Sequence, residues 1–138
     1  MIVDLPFEYW NKLANQLIIT CAFLSGFSIA ITANLLIHKH QSRLYNSILA
    51  ASTISASSFL ITVFTLTGIL LKTTEGYPLE VTSEELNAPR IVGALAYLLG
   101  IISLITVIGL SGWTKSKLTG IFTTVVAVIT LTIILFFV

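Results

Sequence analysis

Few side chains in this protein are suited to chemistry, and they are scattered. His38 and His40 lie two residues apart in the basic stretch His38-Lys39-His40-Gln41-Ser42-Arg43. Imidazoles bind metals and titrate near neutral pH. A zinc site needs at least three protein ligands, and no third ligand accompanies this pair. We read the two histidines as loop-end residues, with no metal. Cys21 is the one cysteine. A single thiol closes no intrachain disulfide, and a free cysteine in an apolar stretch packs as a small hydrophobe. No Ser–His–Asp set, CxxC, HExxH or glycine-rich phosphate loop is present. Redox chemistry would need paired cysteines or haem-ligating histidines within the apolar stretches. Proton relay would need a carboxylate or lysine there. The chain is therefore not expected to be an enzyme or to carry a cofactor.

What surrounds these residues is almost wholly apolar. Of 138 residues, 56% are hydrophobic and 9% charged, and the mean hydropathy is +0.99. Soluble domains carry about 25% charged residues. Four stretches, 13–37, 45–71, 91–110 and 118–138, contain no Asp, Glu, Lys or Arg. Each meets or nearly meets the roughly 20 apolar residues that a spanning helix needs. The expected fold is all-α: one integral membrane domain over residues 1–138, built as a four-helix transmembrane bundle in a lipid bilayer. The formal net charge of +1 gives no reason to expect a nucleic-acid partner. The start, with Asp4, Pro6 and Glu8, lacks the basic residues of a secretory signal peptide. Ile2 is not the glycine that myristoylation requires, and no C-terminal cysteine is available for prenylation.

Phe7, Tyr9 and Trp10 cluster ahead of the first span, where aromatic rings favour the headgroup level. With Pro6 between Asp4 and Glu8, this reads as an interfacial turn at a helix start. The acidic loop 72–90 contains a turn signal, Gly76-Tyr77-Pro78, and a capping box, Thr82-Ser83-Glu84-Glu85. Pro89 follows, so a kink or break is expected before the third span. Lys39 and Arg43 make the first loop basic, and Lys115 and Lys117 the third. Lys and Arg near span ends favour the cytoplasm. That places loops one and three inside a cell membrane, with both termini and loop 72–90 on the non-cytoplasmic side.

Small residues mark where membrane helices approach closely. Three stripes qualify: Ala22, Gly26, Ala30 and Ala33; Gly93, Ala96, Gly100 and Ser103; Gly120, Thr124 and Ala127. They predict tight contacts within the bundle or between subunits. The second span is small and hydroxylated on nearly every face over Ala50–Ser58, with Ser57 among its packing candidates. It is either a central helix packed on all sides or a helix bordering water. Asn34, near the end of the first span, is either interhelical glue or a polar group of a pore or ligand site.

The run Phe23-Leu24-Ser25-Gly26-Phe27-Ser28-Ile29-Ala30 resembles the first transmembrane helix of Orai, the subunit of calcium-release-activated calcium channels. That family has four spans per subunit and assembles as a hexamer around a pore lined by the first helix. The resemblance implies that Ile19, Phe23, Phe27, Ala30 and Asn34 line a pore. Their spacing of three and four residues puts them on one helical face. Asn34 stands where the family has the glutamate that confers calcium selectivity, and Ile19 where it has a basic residue. The family keeps its termini in the cytoplasm, the reverse of the orientation that the loop charges favour here.

Two functions follow as expectations. The first is an oligomeric pore- or ion-channel-forming subunit, with the first span lining the path. Symmetric homo-oligomers are the usual way in which a small bundle encloses one. The second is a non-conducting structural or accessory subunit that binds a membrane protein partner.

Overall fold

The computed structural model describes residues 6–38 and 42–137. The calls on Asp4, Lys39, His40 and Gln41 lie outside the described residues. Four helices account for most of the chain: α1 (Phe7–Ile37), α2 (Arg43–Thr73), α3 (Asn87–Ser111) and α4 (Lys117–Phe137). Each is long and apolar enough to cross a membrane. This is a multi-pass membrane protein with an all-α, four-helix bundle fold.

Local chemistry sets the helix ends. Pro6 precedes α1, and its carbonyl accepts the first turn's bond from the Tyr9 amide at 2.9 Å. Phe7, Tyr9 and Trp10 thus stand in the first turn of α1, at the expected helix start. Ser42 caps α2, its hydroxyl accepting from the Tyr45 amide at 3.1 Å. After α2 the chain turns at Gly76, whose φ of +90° suits a residue without a β-carbon. A 3-10 turn, Ser83–Leu86, then leads into α3. The expected capping box does not form among the described residues. The Glu85 amide bonds the Thr82 carbonyl at 3.1 Å, but the Thr82 side chain makes no capping bond. A 3-10 turn uses that carbonyl bond and does not need the side chain. Pro89 sits in the first turn of α3, where a missing N–H is tolerated. The break in the helical path therefore falls upstream of it, at the 3-10 turn.

At about 1.5 Å per residue, the 31 residues each of α1 and α2 span about 46 Å, which exceeds the roughly 30 Å hydrocarbon core. Their ends reach the headgroup level.

The helices pack in chain order: α1 on α2, α2 on α3, α3 on α4. The centre is α2, which buries residues from Ile48 to Ile69 along most of its length. By contrast α4 buries only Gly120 and Ala127. One apolar cluster joins all four helices through Cys21, Phe59, Ile101, Ile105 and Ala127. A second, nearer loop 72–90, is formed by Ala14, Leu66, Ile69 and Leu86. Cys21 is fully buried in the first cluster and packs as an apolar residue.

Candidate functional site

The two sides of α1 differ in chemistry, and the candidate site is built from that difference. One side carries Cys21, Ser25 and Ser28, all buried. It is fastened to α2 by hydroxyls. Ser25 Oγ donates to the Ala56 carbonyl at 3.3 Å. Ser28 Oγ lies 3.0 Å from Ser55 Oγ, and Ser55 Oγ donates to the Gly100 carbonyl of α3 at 3.2 Å. A serine hydroxyl has one proton. With that of Ser55 directed to Gly100, Ser28 is the donor to Ser55. The relay runs across three helices. Further along, Thr32 Oγ1 lies 2.9 Å from Ser52 Oγ, and Thr62 Oγ1 donates to the Ser58 carbonyl at 2.9 Å.

This seam settles how α2 uses its hydroxyls within the subunit. Ser52 and Ser55 are fully buried between helices, as in a centrally packed helix. Ser57, the packing candidate of this helix, lies elsewhere. It is exposed and its hydroxyl returns to its own helix, to the Thr53 carbonyl at 3.0 Å. Ser52, Ser55 and Ser58 share one face and Thr53 and Ser57 another, and only the first meets α1 and α3.

The glycines of α3 and α4 lie at helix contacts. A β-carbon at Gly100 would stand 2.9 Å from the Phe59 ring, and one at Gly93 3.7 Å from Thr65. A β-carbon at Gly120 would stand 2.5 Å from the Trp113 indole, whose Nε1 donates to Thr124 Oγ1 at 2.9 Å. The small stripe of α1 behaves otherwise. Ala22, Gly26 and Ala30 are exposed, and a β-carbon at Gly26 would meet nothing within 4 Å. Smallness permits close approach but does not compel it. The opposite face of α1 is also small, and it gains hydrogen bonds as well, so that face meets α2.

The outward side of α1 holds the residues proposed from the Orai resemblance. Ile19, Phe23 and Phe27 are 54%, 68% and 64% exposed. Together with Ala22, Gly26 and Ala30 they form one shallow apolar groove. Asn34 does not line that groove. It lines a separate recess of about 810 Å³ at the end of the bundle that carries loops one and three, together with His38, Tyr45, Ser111 and Trp113. There His38 Nδ1 donates to the Asn34 carbonyl at 2.9 Å. Tyr45 Oη bonds the Leu35 carbonyl and lies 3.1 Å from that of His38, tying the end of α1 to the start of α2.

No protein-family model matches the chain, and no curated protein or solved structure matches it either. The likeness to Orai rests on the eight residues 23–30 and on the four-span architecture.

Two features of the site escaped sequence reasoning. One is the direction of the hydroxyl relay, since Ser25 and Ser28 are unremarkable in sequence beside Gly26. The other is the pairing of Trp10 with Arg90. The Arg90 guanidinium carbon lies 4.1 Å from the Trp10 ring centroid. In the sequence Trp10 reads as an interfacial residue, and the signal for its partner, a lone arginine just before the third span, is weak.

Proposed function

We propose that this membrane protein is a subunit of a homo-oligomeric pore in which the outward face of α1 borders the conducting path. One observation carries the reading: Ile19, Phe23, Phe27 and Ala30 share a face that no helix of the subunit covers, while the opposite face is held to α2. In a ring of copies, α1 would stand at the axis, α2 and α3 behind it and α4 outermost. The phenylalanines would form a hydrophobic constriction that opens by wetting. Asn34 would supply a neutral polar ring near the loop-one end, with weaker hold on divalent cations than a carboxylate ring. Loops one and three would face the cytoplasm. No catalytic step is assigned.

The second reading is an accessory subunit whose α1 groove docks on another membrane protein. It is favoured by the wholly apolar lining of that groove, from Ile18 to Ala30. Cation flux through the purified protein in liposomes separates the two. The pore reading expects flux that rises in Phe27→Ala and falls in Asn34→Leu. Absence of flux under voltage, calcium and pH changes, with all variants alike, rejects the pore and leaves the accessory reading.

A further inference from the structure

At the end of the bundle opposite the Asn34 recess, a cavity of about 600 Å³ opens between α1, α2 and α3. Its walls are apolar, formed mainly by Leu13, Leu17, Leu66, Ile69 and Ala94. Trp10 of α1 and Arg90 of α3 also line the cavity. The guanidinium stacks on the indole, with 4.1 Å from its carbon to the ring centroid. Arg90 Nε and Trp10 Nε1 are both buried, and neither has a hydrogen-bond partner among the described residues. The other basic side chains described at this end are paired: Lys12 with Glu8 at 2.7 Å, Lys72 with Glu85 at 3.8 Å. Arg90 has no ion pair among the described residues.

An arginine with no ion pair among the described residues, beside an apolar cavity, suits an anion that brings its own hydrocarbon. A buried N–H without an acceptor is costly, and a charged one more so. Arginine's fork of N–H groups matches the oxygens of a phosphate. Trp10 and Arg90 lie on the first turns of α1 and α3, where a spanning helix meets the headgroups, and the cavity runs from them along apolar side chains. We infer that this cavity is a binding site for a single membrane phospholipid, whose phosphate pairs with the Arg90 guanidinium stacked on Trp10 and whose acyl chain lies along Leu13, Leu17, Leu66 and Ile69. The surrounding loop is acidic, with Glu75, Glu80 and Glu84. None of these carboxylates forms an ion pair with Arg90 among the described residues. The inference is independent of the pore reading.

The test uses the full chain in phosphatidylcholine vesicles, in a Trp113→Phe background so that Trp10 is the sole tryptophan. Phosphatidylglycerol with brominated acyl chains is titrated in, with brominated phosphatidylcholine as the comparison, and quenching of Trp10 is read. The site predicts at least several-fold stronger quenching by the phosphatidylglycerol at equal mole fraction, because its phosphate is not masked by a choline. Arg90→Gln should remove that preference, and Arg90→Lys should keep part of it. Ala94→Phe, a change at an exposed position of the cavity wall, should lower quenching by both lipids while circular dichroism stays unchanged. Equal quenching by both lipids in the parent protein, or an undiminished preference in Arg90→Gln, would overturn the inference. So would displacement of the brominated lipid by soluble glycerol phosphate, which would identify a free-anion site.

Discussion

The ring of Phe59 lies directly on Gly100, so closely that a β-carbon at Gly100 would stand 2.9–3.1 Å from three of its ring carbons. Phe59 is fully buried among residues of all four helices and cannot withdraw. The contact sets how near α3 comes to α2, and it brings the Gly100 carbonyl within reach of Ser55.

Gly100→Ala is therefore expected to destabilise the subunit by about 1–3 kcal/mol, the usual cost of overpacking. Unfolding in mixed micelles would measure it. The loss should shrink in a Phe59→Leu background, since contacting residues are not additive. Equal losses in the two backgrounds would show that the close contact is not the cause.

The Ser28–Ser55–Gly100 relay predicts an order among substitutions. Ser55→Ala removes the donor to Gly100 and strands the Ser28 proton, whereas Ser28→Ala leaves Ser55 still donating. Hydrogen bonds between membrane helices average about 0.6 kcal/mol. Ser28→Ala should cost about that much, Ser55→Ala about twice as much, and the double substitution little more than Ser55→Ala alone. A double-mutant cycle with fully additive losses would contradict the relay.

Gly26 and Gly120 look alike in sequence and should respond differently. At Gly26 an added β-carbon meets nothing within 4 Å, so Gly26→Ala should leave the subunit as stable as before, or raise its stability by up to about 1 kcal/mol of helix propensity. At Gly120 the β-carbon would meet Trp113 at 2.5 Å. Trp113 is 43% exposed and can swing outward, at the loss of its bond to Thr124. Gly120→Ala should shift Trp113 fluorescence, read in a Trp10→Phe background, and Gly26→Ala should not. If copies meet through the α1 groove, Gly26→Leu should reduce the assembled size on a sizing column while circular dichroism is preserved.

Composition alone determined that four apolar helices would form and cross a bilayer. A run of about 20 residues without charge has few other homes, and in hydrocarbon its backbone must bond to itself. The packing glycines of α3 and α4 were legible for a related reason: no other stripe on either helix competes with theirs. On α1 two small stripes do compete, Ala22-Gly26-Ala30 and Cys21-Ser25-Ser28, and spacing cannot rank them. Only the folded chain decides, through hydrogen bonds that Ser25 and Ser28 find on α2 and that glycine and alanine side chains cannot make. The same holds for Trp10 and Arg90, 80 positions apart in the sequence. Each reads alone as an interfacial residue. Their stacking and the cavity beside them arise only because α1 and α3 start at the same end of the bundle and both lie against α2.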